Sequence, residues 1–312
     1  MIRFVARRIL TIAPILFGVV TVTFLVMQVL PGDPVLALVG ERYDEATLAR
    51  LRTELGLDKP LAVRYLDYLG RVARLDLGRS FVTGRPVAES IAERFPRTAL
   101  LAGSAMLIAV VFGVLAGGLA SRGRHPWTGR LLMGITLVGV SIPVFWLGLL
   151  LIHLFALRLG LLPPSGYGGG SLRYLILPAV TLSFASMASI ARVTRSGFLD
   201  AAGEDFVRTA RAKGLGDGTV LGKHVLRNAL IPVVTIVGTD FGSYLGGSVL
   251  TESIFGWPGL GRLIVQSILR RDFPVIQGAV LFTAALFVIV NLAVDISYGI
   301  IDPRIRSAGG GG

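Results

Sequence analysis

Polar side chains interrupt two of the apolar segments of this chain, and these residues could do chemistry inside a membrane. Asp240, Tyr244 and Ser248 recur every fourth residue in one segment, and Asn291 and Asp295 lie one helical turn apart in another. A carboxylate in hydrocarbon is costly, so Asp240 should either face a wet pathway or be protonated or hydrogen-bonded against a neighbouring helix. The same two alternatives, pathway or structural cluster, are open for Asn291 and Asp295.

Several other chemistries lack the residues that they require. The chain has no cysteine, and its three histidines (His125, His153 and His224) lie on separate segments, so we expect no metal site and no intramembrane hydrolase. The sequence contains no Gly-x-x-x-x-Gly-Lys-Ser/Thr loop to cradle phosphates, since the Gly222-Lys223 pair is followed by His224. We therefore expect that the chain does not hydrolyse ATP by this chemistry.

The composition places the chain in a membrane as an all-α protein. Of its 312 residues, 53% are hydrophobic and 16% are charged, and the mean hydropathy is +0.72, which is too apolar for one soluble core. Six segments approach the roughly 20 apolar residues that a spanning helix needs. They are 9–30, 98–120, 131–157, 175–191, 229–250 and 275–300. In the fifth, Gly238, Gly242 and Gly246 form a small-residue stripe that lets another helix pack closely.

The formal net charge of +12 could suggest that the chain binds nucleic acid. The distribution of the charges along the chain distinguishes this from binding to a membrane. With both termini inside the cell, the basic excess falls on the cytoplasmic side, as the positive-inside rule requires. The lipid bilayer therefore accounts for the charge, and no nucleic acid partner is expected. The sequence predicts a polytopic protein with six transmembrane helices in an N-in, C-in orientation.

A basic amphipathic insert of residues 204–232 separates the fourth and fifth apolar segments. Phe206, Val207 and Ala210 lie at helical spacing on one face, and Gly214 stands where a helix C-cap would fall. Thr219 can cap a second helix after a glycine-rich turn. Such an ordered loop on a membrane protein predicts a docking surface for a partner. Its candidate residues are Glu204, Asp205, Arg208, Thr209, Ala210, Arg211, Lys213, Gly214 and Leu215.

Two regions are predicted on the outer side of the membrane. Residues 45–55 and 61–77 have helical periodicity and predict a small helical subdomain, which caps the channel mouth, meets an external protein or serves as a packed spacer. After the fifth segment, the rigid turn of Trp257, Pro258 and Gly259, with Arg262, predicts an outer gate or a receptor contact, and Trp257 could alternatively be an interfacial anchor. The predicted divisions are 1–30 (N-terminus and first span), 31–96 (outer subdomain), 97–306 (transmembrane core with a coupling loop at 197–228) and 307–312 (flexible tail).

Over residues 3–306, a set of motifs resembles the B-type permease subunit of the dipeptide and oligopeptide ABC importers. In the first half they are RFVARRIL, PGDP, LGLDKPLAVRY, GRPVAESIAERFPRT, SIPVFWLGLLLI and LPPSGY. In the second half they are EDFVRTARAKGL, HVLRNALIPVVT, GWPGLGRL, RDFPVIQG and NLAVDISYGIIDPRIR. Three positions depart from the family pattern. Arg208 replaces the signature glutamate, as is usual for the peptide class, Leu75 replaces a usual glycine, and Asp240 stands where a neutral residue is expected.

The resemblance implies a type I ABC importer permease fold and a multi-pass location in the bacterial inner membrane. It also implies a second homologous permease subunit, two ATP-binding subunits and an extracytoplasmic substrate-binding protein, with ATP and Mg in the partner subunits and no cofactor in this chain. The insert would then be the ATPase coupling site, and di- or oligopeptides would pass between the two permeases by alternating access. Glutathione, haem and nickel chelates are handled by similar permeases. An ion-coupled secondary transporter using Asp240 and Asp295 is the alternative from another class.

Overall fold

The computed structural model describes residues 2–29, 44–54, 56–122, 141–246 and 248–301, together with positions 35, 127, 131, 134, 136 and 139. The regular elements of this part of the chain are helices, apart from one isolated antiparallel bridge between Arg79 and Pro86. We number the described helices α1 (Ile2–Val29), α2 (Glu45–Glu54), α3 (Leu61–Ala73), α4 (Val87–Arg122), α5 (Val144–Arg158), α6 (Leu172–Gly203), α7 (Asp205–Ala212), α8 (Asp217–Ala229), α9 (Ile231–Leu245), α10 (Val249–Ile254), α11 (Leu260–Leu269) and α12 (Phe273–Ile301). The end of α5 (Ile152–Arg158) and the middle of α8 (Val220–Val225) are π-helical.

Four of the described helices, α1, α4, α6 and α12, contain stretches long and apolar enough to cross a membrane. α8 and α9 make a fifth candidate if they act as one span, since they pass the same test together but meet at a bend of 49°. α5 is apolar but shorter, and most of the first part of the predicted span 131–157 lies outside the described residues. The all-helical membrane fold is therefore confirmed, whereas six spans and their orientation stay predictions.

Three helix boundaries differ from those predicted. α6 continues to residue 203 instead of ending near 191, because Phe198 and Ala201 remain buried in a core shared with α8. α9 ends at residue 245 instead of 250, with Gly246 as its C-cap. α8 begins directly after Gly216, which is its N-cap, so Thr219 lies inside the first turn and does not cap the helix.

α4 and α6 form the most extensive helix pair among the described helices, through a small-residue stripe that the sequence analysis did not single out. A Cβ atom at Gly113 would lie 2.8 Å from the Ile190 side chain, and one at Gly117 would lie 2.4 Å from the Ala191 carbonyl oxygen. The two backbones therefore approach at positions where no larger residue fits. This is the small-xxx-small contact typical of membrane helices.

The predicted glycine stripe of the fifth segment packs against α12. A Cβ atom at Gly238 would lie 2.2 Å from the Val294 side chain, and one at Gly242 would lie 3.3 Å from the Phe287 ring. At Gly246 a Cβ atom would approach only backbone oxygens of its own helix, at 3.4 Å. The close helix approach is thus confirmed for the first two glycines of the stripe.

The predicted outer subdomain, which contains α2, α3 and the 76–86 loop, contacts α1 and the start of α12 at two places. Asp272, which is 4% exposed directly before α12, accepts a hydrogen bond from Ser80 Oγ and a second from the Phe81 backbone N–H at 2.9 Å. On α3, the Tyr65 hydroxyl forms a hydrogen bond with Thr21 Oγ1 of α1 at 2.7 Å. These contacts hold α3 and the 76–86 loop against the ends of α1 and α12.

Candidate functional site

The predicted coupling segment is anchored by a small apolar core at the end of α6. Val207 and Ala210 of α7 are buried in it, so this face of the helix is not available to a partner. A Cβ atom at Gly197 would lie 2.9 Å from the Ala229 carbonyl oxygen, which shows how closely α6 and α8 approach. The other buried members of the core are Phe198, Ala201, Val220, Val225 and Ala229.

α7 ends in a Schellman motif, so the helix end predicted at Gly214 is confirmed. Gly214 has a φ of 78°, and its N–H donates to the Arg211 carbonyl oxygen at 2.9 Å. The Leu215 N–H donates to the Ala210 carbonyl oxygen at 3.3 Å, which completes the motif. Glycine adopts this left-handed backbone without strain, whereas a side chain there is costly.

The exposed face of the predicted coupling segment combines two large apolar side chains with surrounding charged residues. Leu215 is 40% exposed and Phe206 is 37% exposed, so the prediction that Phe206 shares the face of buried Val207 and Ala210 was wrong. Arg208 pairs with Asp205 at 3.4 Å, and Arg211 Nε pairs with an Asp217 carboxylate oxygen at 3.2 Å. Except for buried Ala210, the predicted docking residues are exposed; they are Glu204, Asp205, Arg208, Thr209, Arg211, Lys213, Gly214 and Leu215.

α9 carries an exposed hydroxyl stripe (Thr235, Thr239 and Ser243) that the sequence analysis did not identify. Thr239 Oγ1 donates to the Thr235 carbonyl oxygen and Ser243 Oγ donates to the Thr239 carbonyl oxygen, both at 3.0 Å. By contrast, large apolar side chains such as Phe17 of α1 and Leu107 of α4 are exposed on their helices, at 56% and 66%. The spacing of the stripe is visible in the sequence, but the exposed face of the helix is not.

Asp240 and Tyr244 contact α6. Ser186 Oγ lies 2.5 Å from both Asp240 Oδ2 and the Tyr244 hydroxyl, and the Tyr244 hydroxyl donates to the Leu182 carbonyl oxygen at 2.8 Å. Asp240 thus accepts a hydrogen bond from Ser186 of α6, and the Tyr244 hydroxyl contacts the same serine, so both side chains hold α9 against α6. This geometry favours the alternative of a hydrogen-bonded packing group at Asp240.

The remaining pathway candidates lie apart from this cluster. Ser248 stands at the N-cap of α10, beyond the end of α9, so the prediction that it shares a helical face with Asp240 was wrong. Asn291 donates its side-chain amide to the Phe287 carbonyl oxygen of its own helix at 3.0 Å. The side chain of Asp295 lies outside the described residues. Within the described part of the chain, no three histidine or acidic side chains are grouped so that they could hold a metal ion.

At the end of the helices that is predicted to face outward, three helices pack around a glutamate that the sequence analysis missed. Glu252 of α10 is fully buried, and its carboxylate accepts hydrogen bonds from Thr98 Oγ1 at 2.8 Å and from the Arg262 N–H at 3.1 Å. Thr98 Oγ1 in turn accepts from the Leu260 N–H at 2.8 Å. Glu252 of α10 and Thr98 of α4 thus cap the N-terminus of α11, because they accept from its first backbone N–H groups. Burial raises the pKa of Glu252. We call this group the outer lock.

Trp257 is packed beside the outer lock. It is 1% exposed, its indole Nε1 donates to the Arg97 carbonyl oxygen at 2.9 Å, and its ring meets the edge of Tyr167 at 5.0 Å between centroids. This burial overturns the idea that Trp257 is an interfacial anchor. A Cβ atom at Gly259 would lie 2.4 Å from the Glu252 carboxylate, which explains the glycine. A gating or receptor role for Trp257, Pro258, Gly259 and Arg262 stays a prediction.

The chain is similar to membrane subunits of binding-protein-dependent transport systems. Residues 109–307 match the family described as binding-protein-dependent transport system inner membrane component, and residues 1–102 match its N-terminal region. Over 306 residues the chain is 45% identical to the glutathione transport system permease protein GsiC of Escherichia coli strain K12, covering 98% of this chain and 99% of that protein. GsiC of Salmonella typhimurium strain LT2 is similar to the same extent, with 45% identity over 306 residues.

Two solved structures share the fold. A chain of the MetNI methionine ABC transporter in an inward-facing conformation has a TM-score of 0.57 and 19% identity, covering 68% of this chain and 96% of that one. A chain of an amino acid ABC transporter solved with histidines has a TM-score of 0.52 and 19% identity, covering 70% of this chain and 94% of that one. At this level of identity the likeness concerns the arrangement of the helices alone.

Proposed function

We propose a substrate, a route and a coupling surface for this chain from the premise that it belongs to the family of binding-protein-dependent transport system inner membrane components. The chain is a permease subunit of an ABC importer, and it is a multi-pass protein of the inner membrane. It is a transport component and not an enzyme. The ATPase activity lies in separate subunits, and a binding protein is the other partner that such an importer needs.

The substrate that we propose is glutathione or a similarly small peptide. The observation that carries this proposal is the 45% identity, over 98% of the chain, to permeases named for glutathione transport. Glutathione is a tripeptide and so falls within the di- and oligopeptide class. Family membership also argues against an ion-coupled transporter that works without ATPase partners, and we do not adopt that alternative.

We infer that the hydroxyl stripe of α9 lines the route between this permease and a second, homologous one. A helix face directed at lipid is expected to be apolar, as on α1 and α4, whereas Thr235, Thr239 and Ser243 are exposed and polar. Their oxygens retain acceptor capacity after donating to the backbone. They can therefore offer weak hydrogen bonds to the amides and ammonium group of a passing peptide. Asp240 and Tyr244 would instead set the position of α9 against α6.

Residues 204–215 are the surface that we propose for contact with an ATP-binding subunit. The buried core beneath α7 supports this role, because it lets a pull on α7 reach α6 and α8 without unfolding the segment. Phe206 and Leu215 supply an apolar centre for the contact, and the surrounding charges supply a polar rim. ATP and Mg would be bound by the partner subunits.

Uptake by the complete transporter in proteoliposomes, with its binding protein and internal ATP, tests the substrate. We expect ATP-dependent uptake of labelled glutathione that unlabelled small peptides reduce and that haem does not. Uptake of haem or a nickel chelate in place of glutathione would contradict the proposal.

Thr239→Val tests the route, because valine removes the hydroxyl with little change in volume. The matched control is Thr283→Val on α12, where a buried threonine donates to its own helix in the same way, at 3.0 Å to the Val280 carbonyl oxygen. We expect several-fold slower glutathione uptake for Thr239→Val, with unchanged assembly, and a smaller effect for the control. Equal effects of the two substitutions would show that the stripe is not part of the route.

A further inference from the structure

A cavity of about 1190 Å³ lies between the outer subdomain and the ends of α1 and α12. Phe24 and Met27 of α1 and Phe273 of α12 give it an apolar floor, and Leu66 of α3 adds to the apolar lining. Charged side chains of α2, α3 and the following loop line the rest. The cavity therefore has one apolar side and one charged side, which is the pattern expected for an amphiphilic ligand.

Basic residues dominate the charged side. Among the described residues that line the cavity, six are basic and three are acidic. The basic residues are Arg52, Lys59, Arg64, Arg71, Arg74 and Arg79. The cavity thus attracts anions, and the arginines among these side chains have the planar fork that binds a phosphate oxygen pair.

The three acidic residues are already engaged. Asp67 pairs with Lys59 at 2.8 Å, and this hydrogen bond lowers the pKa of the Asp67 carboxyl. Glu54 pairs with Arg50 at 3.0 Å, and Asp76 accepts the backbone N–H two residues further on at 2.9 Å. The pair with Asp67 occupies Lys59, one of the six basic residues of the lining. Even with all three acidic charges counted, the basic residues exceed the acidic ones, so the cavity keeps a positive excess.

A buried hydroxyl in the lining is a second and independent indication of a ligand. Tyr68 is 7% exposed, and its hydroxyl has no hydrogen-bond partner among the described residues. A tyrosine hydroxyl has an ordinary pKa of about 10 and is a donor at neutral pH, and burial raises the pKa of Tyr68 further. A buried donor without an acceptor is costly, which makes a bound acceptor favourable. Arg71 follows one turn later on the same helix.

The part of α12 next to the cavity and the part that meets α9 use different faces of the helix. Leu281 of α12 packs with Val20 and Phe24 of α1, whereas Phe287 and Val294 meet the glycines of α9. At about 100° per residue, Leu281 projects roughly 120–140° away from Phe287 and Val294. The face of α12 that packs on α1 beside the cavity is therefore not the face that packs on α9.

The neighbouring face of α1 is suited to hydrocarbon chains. Val22, Val26 and Val29 are exposed at 59%, 46% and 82%, and they lead along α1 to the level of Phe24 and Met27 in the cavity. A headgroup in the cavity would thus have its acyl chains beside an apolar helix surface. This continuity, together with the use of a face of α12 that does not pack on α9, favours a lipid site over a cargo site.

We propose that this cavity binds an anionic phospholipid, with the phosphate against Arg71 and Arg74, the Tyr68 hydroxyl donating to a headgroup oxygen, and the acyl chains along α1. Such a lipid would fasten the outer subdomain to the membrane next to the contacts of Asp272 and Tyr65. The inference is independent of the identity of the transported substrate.

Lipid titration of the purified, delipidated transporter complex, followed by native mass spectrometry, tests the proposal. Phosphatidylglycerol should bind the wild type at least about tenfold more tightly than phosphatidylcholine, because only the former leaves a net anion for the arginines. Arg71→Gln combined with Arg74→Gln should remove this preference. Replacement of the same two residues by lysine keeps the positive charge and should retain most of the preference for phosphatidylglycerol.

Arg270→Gln combined with Arg271→Gln is the matched control, since it removes two exposed cations directly before α12 that do not line the cavity. An equal loss of phosphatidylglycerol binding in the control and in the Arg71 and Arg74 variant would overturn the proposal. If the double variant of Arg71 and Arg74 does not assemble, Tyr68→Phe tests the proposal in its place, because phenylalanine keeps the packing of the ring. Unchanged lipid affinity in Tyr68→Phe would then be the contrary result.

Soluble competitors separate the sources of the same anionic chemistry. Glycerol phosphate should displace phosphatidylglycerol only at much higher concentration, because it lacks the acyl chains. Displacement at equal concentration would indicate a site for a free phosphate group. Displacement by glutathione would indicate a cargo site. Either result would overturn the assignment to lipid.

Discussion

Removal of the Glu252 carboxylate tests the outer lock most directly. In Glu252→Ala, the buried Thr98 hydroxyl and the first N–H groups of α11 lose the acceptor that now lies 2.8 Å from Thr98 Oγ1 and 3.1 Å from the Arg262 nitrogen. Each buried group left without a partner costs about 1–3 kcal/mol, and the lost side chain leaves a cavity. We therefore expect the free energy of unfolding to fall by roughly 3–5 kcal/mol.

Glu252→Gln separates the charge from the shape of the side chain. The amide keeps one acceptor oxygen but turns an NH₂ group towards one of the two donors, which should cost about 1–2 kcal/mol. Burial raises the pKa of Glu252, so the stabilising contribution of the native carboxyl is fully present below the ordinary glutamate value of about 4.3. It is lost as the pH rises through the raised value. The stability difference between wild type and Glu252→Gln should therefore shrink with rising pH in that window.

Thermal unfolding of the purified transporter over a pH series measures both effects. One kcal/mol corresponds to roughly 2–4 °C for a chain of this size, so Glu252→Ala should lower the Tm by at least about 6 °C. Glu89→Gln is the control, because Glu89 is 57% exposed in a surface pair with Arg85 and should matter by less than about 1 kcal/mol. A Tm for Glu252→Ala close to that of the control would refute the capping argument. The same pH dependence in wild type and Glu252→Gln would refute the argument from burial.

The remaining predictions concern helix contacts, coupling and nucleotide binding. Asp240→Asn keeps an acceptor oxygen for the Ser186 hydroxyl and should change the stability by less than about 1 kcal/mol with normal uptake, whereas Asp240→Leu should cost about 1–3 kcal/mol. Slow uptake by a well-assembled Asp240→Asn transporter would instead favour a pathway role. Gly214→Asp places a side chain at a φ of 78° and should uncouple ATP hydrolysis from peptide uptake, so normal ATPase co-purification and uptake would contradict the coupling assignment. Gly117→Leu should prevent assembly, measured by size-exclusion chromatography, because its Cβ atom alone would lie 2.4 Å from the Ala191 carbonyl oxygen. The isolated chain should not bind ATP at micromolar concentration, and binding measured by calorimetry would disprove this expectation.

Local sequence patterns were sufficient to predict those structural features that depend on neighbouring residues alone. An apolar run of membrane length must form a helix, because hydrocarbon offers no other partner to the backbone, so the all-helical fold follows from composition. The end of α7 at Gly214 follows from the freedom of glycine at positive φ. Helix boundaries were less predictable: α6 continues through its basic residues because Phe198 and Ala201 find a core beyond the apolar run.

Contacts between elements far apart in the chain could not be predicted from the sequence. Glu252 reads as an ordinary charge at the end of an apolar segment, and only the fold brings it to Thr98, 154 positions earlier in the chain. Asp240 reads equally well as a pathway group or a packing group until Ser186 is found beside it, 54 positions away.

By itself, the sequence determined that this is a helical membrane protein with an ordered basic insert and no phosphate-binding loop, since those properties depend on composition and near-neighbour spacing. Only the tertiary structure decided which face of α9 is exposed and which polar groups are paired. Helical periodicity defines the faces of a helix, but the neighbours that cover them are set by the packing of the whole chain.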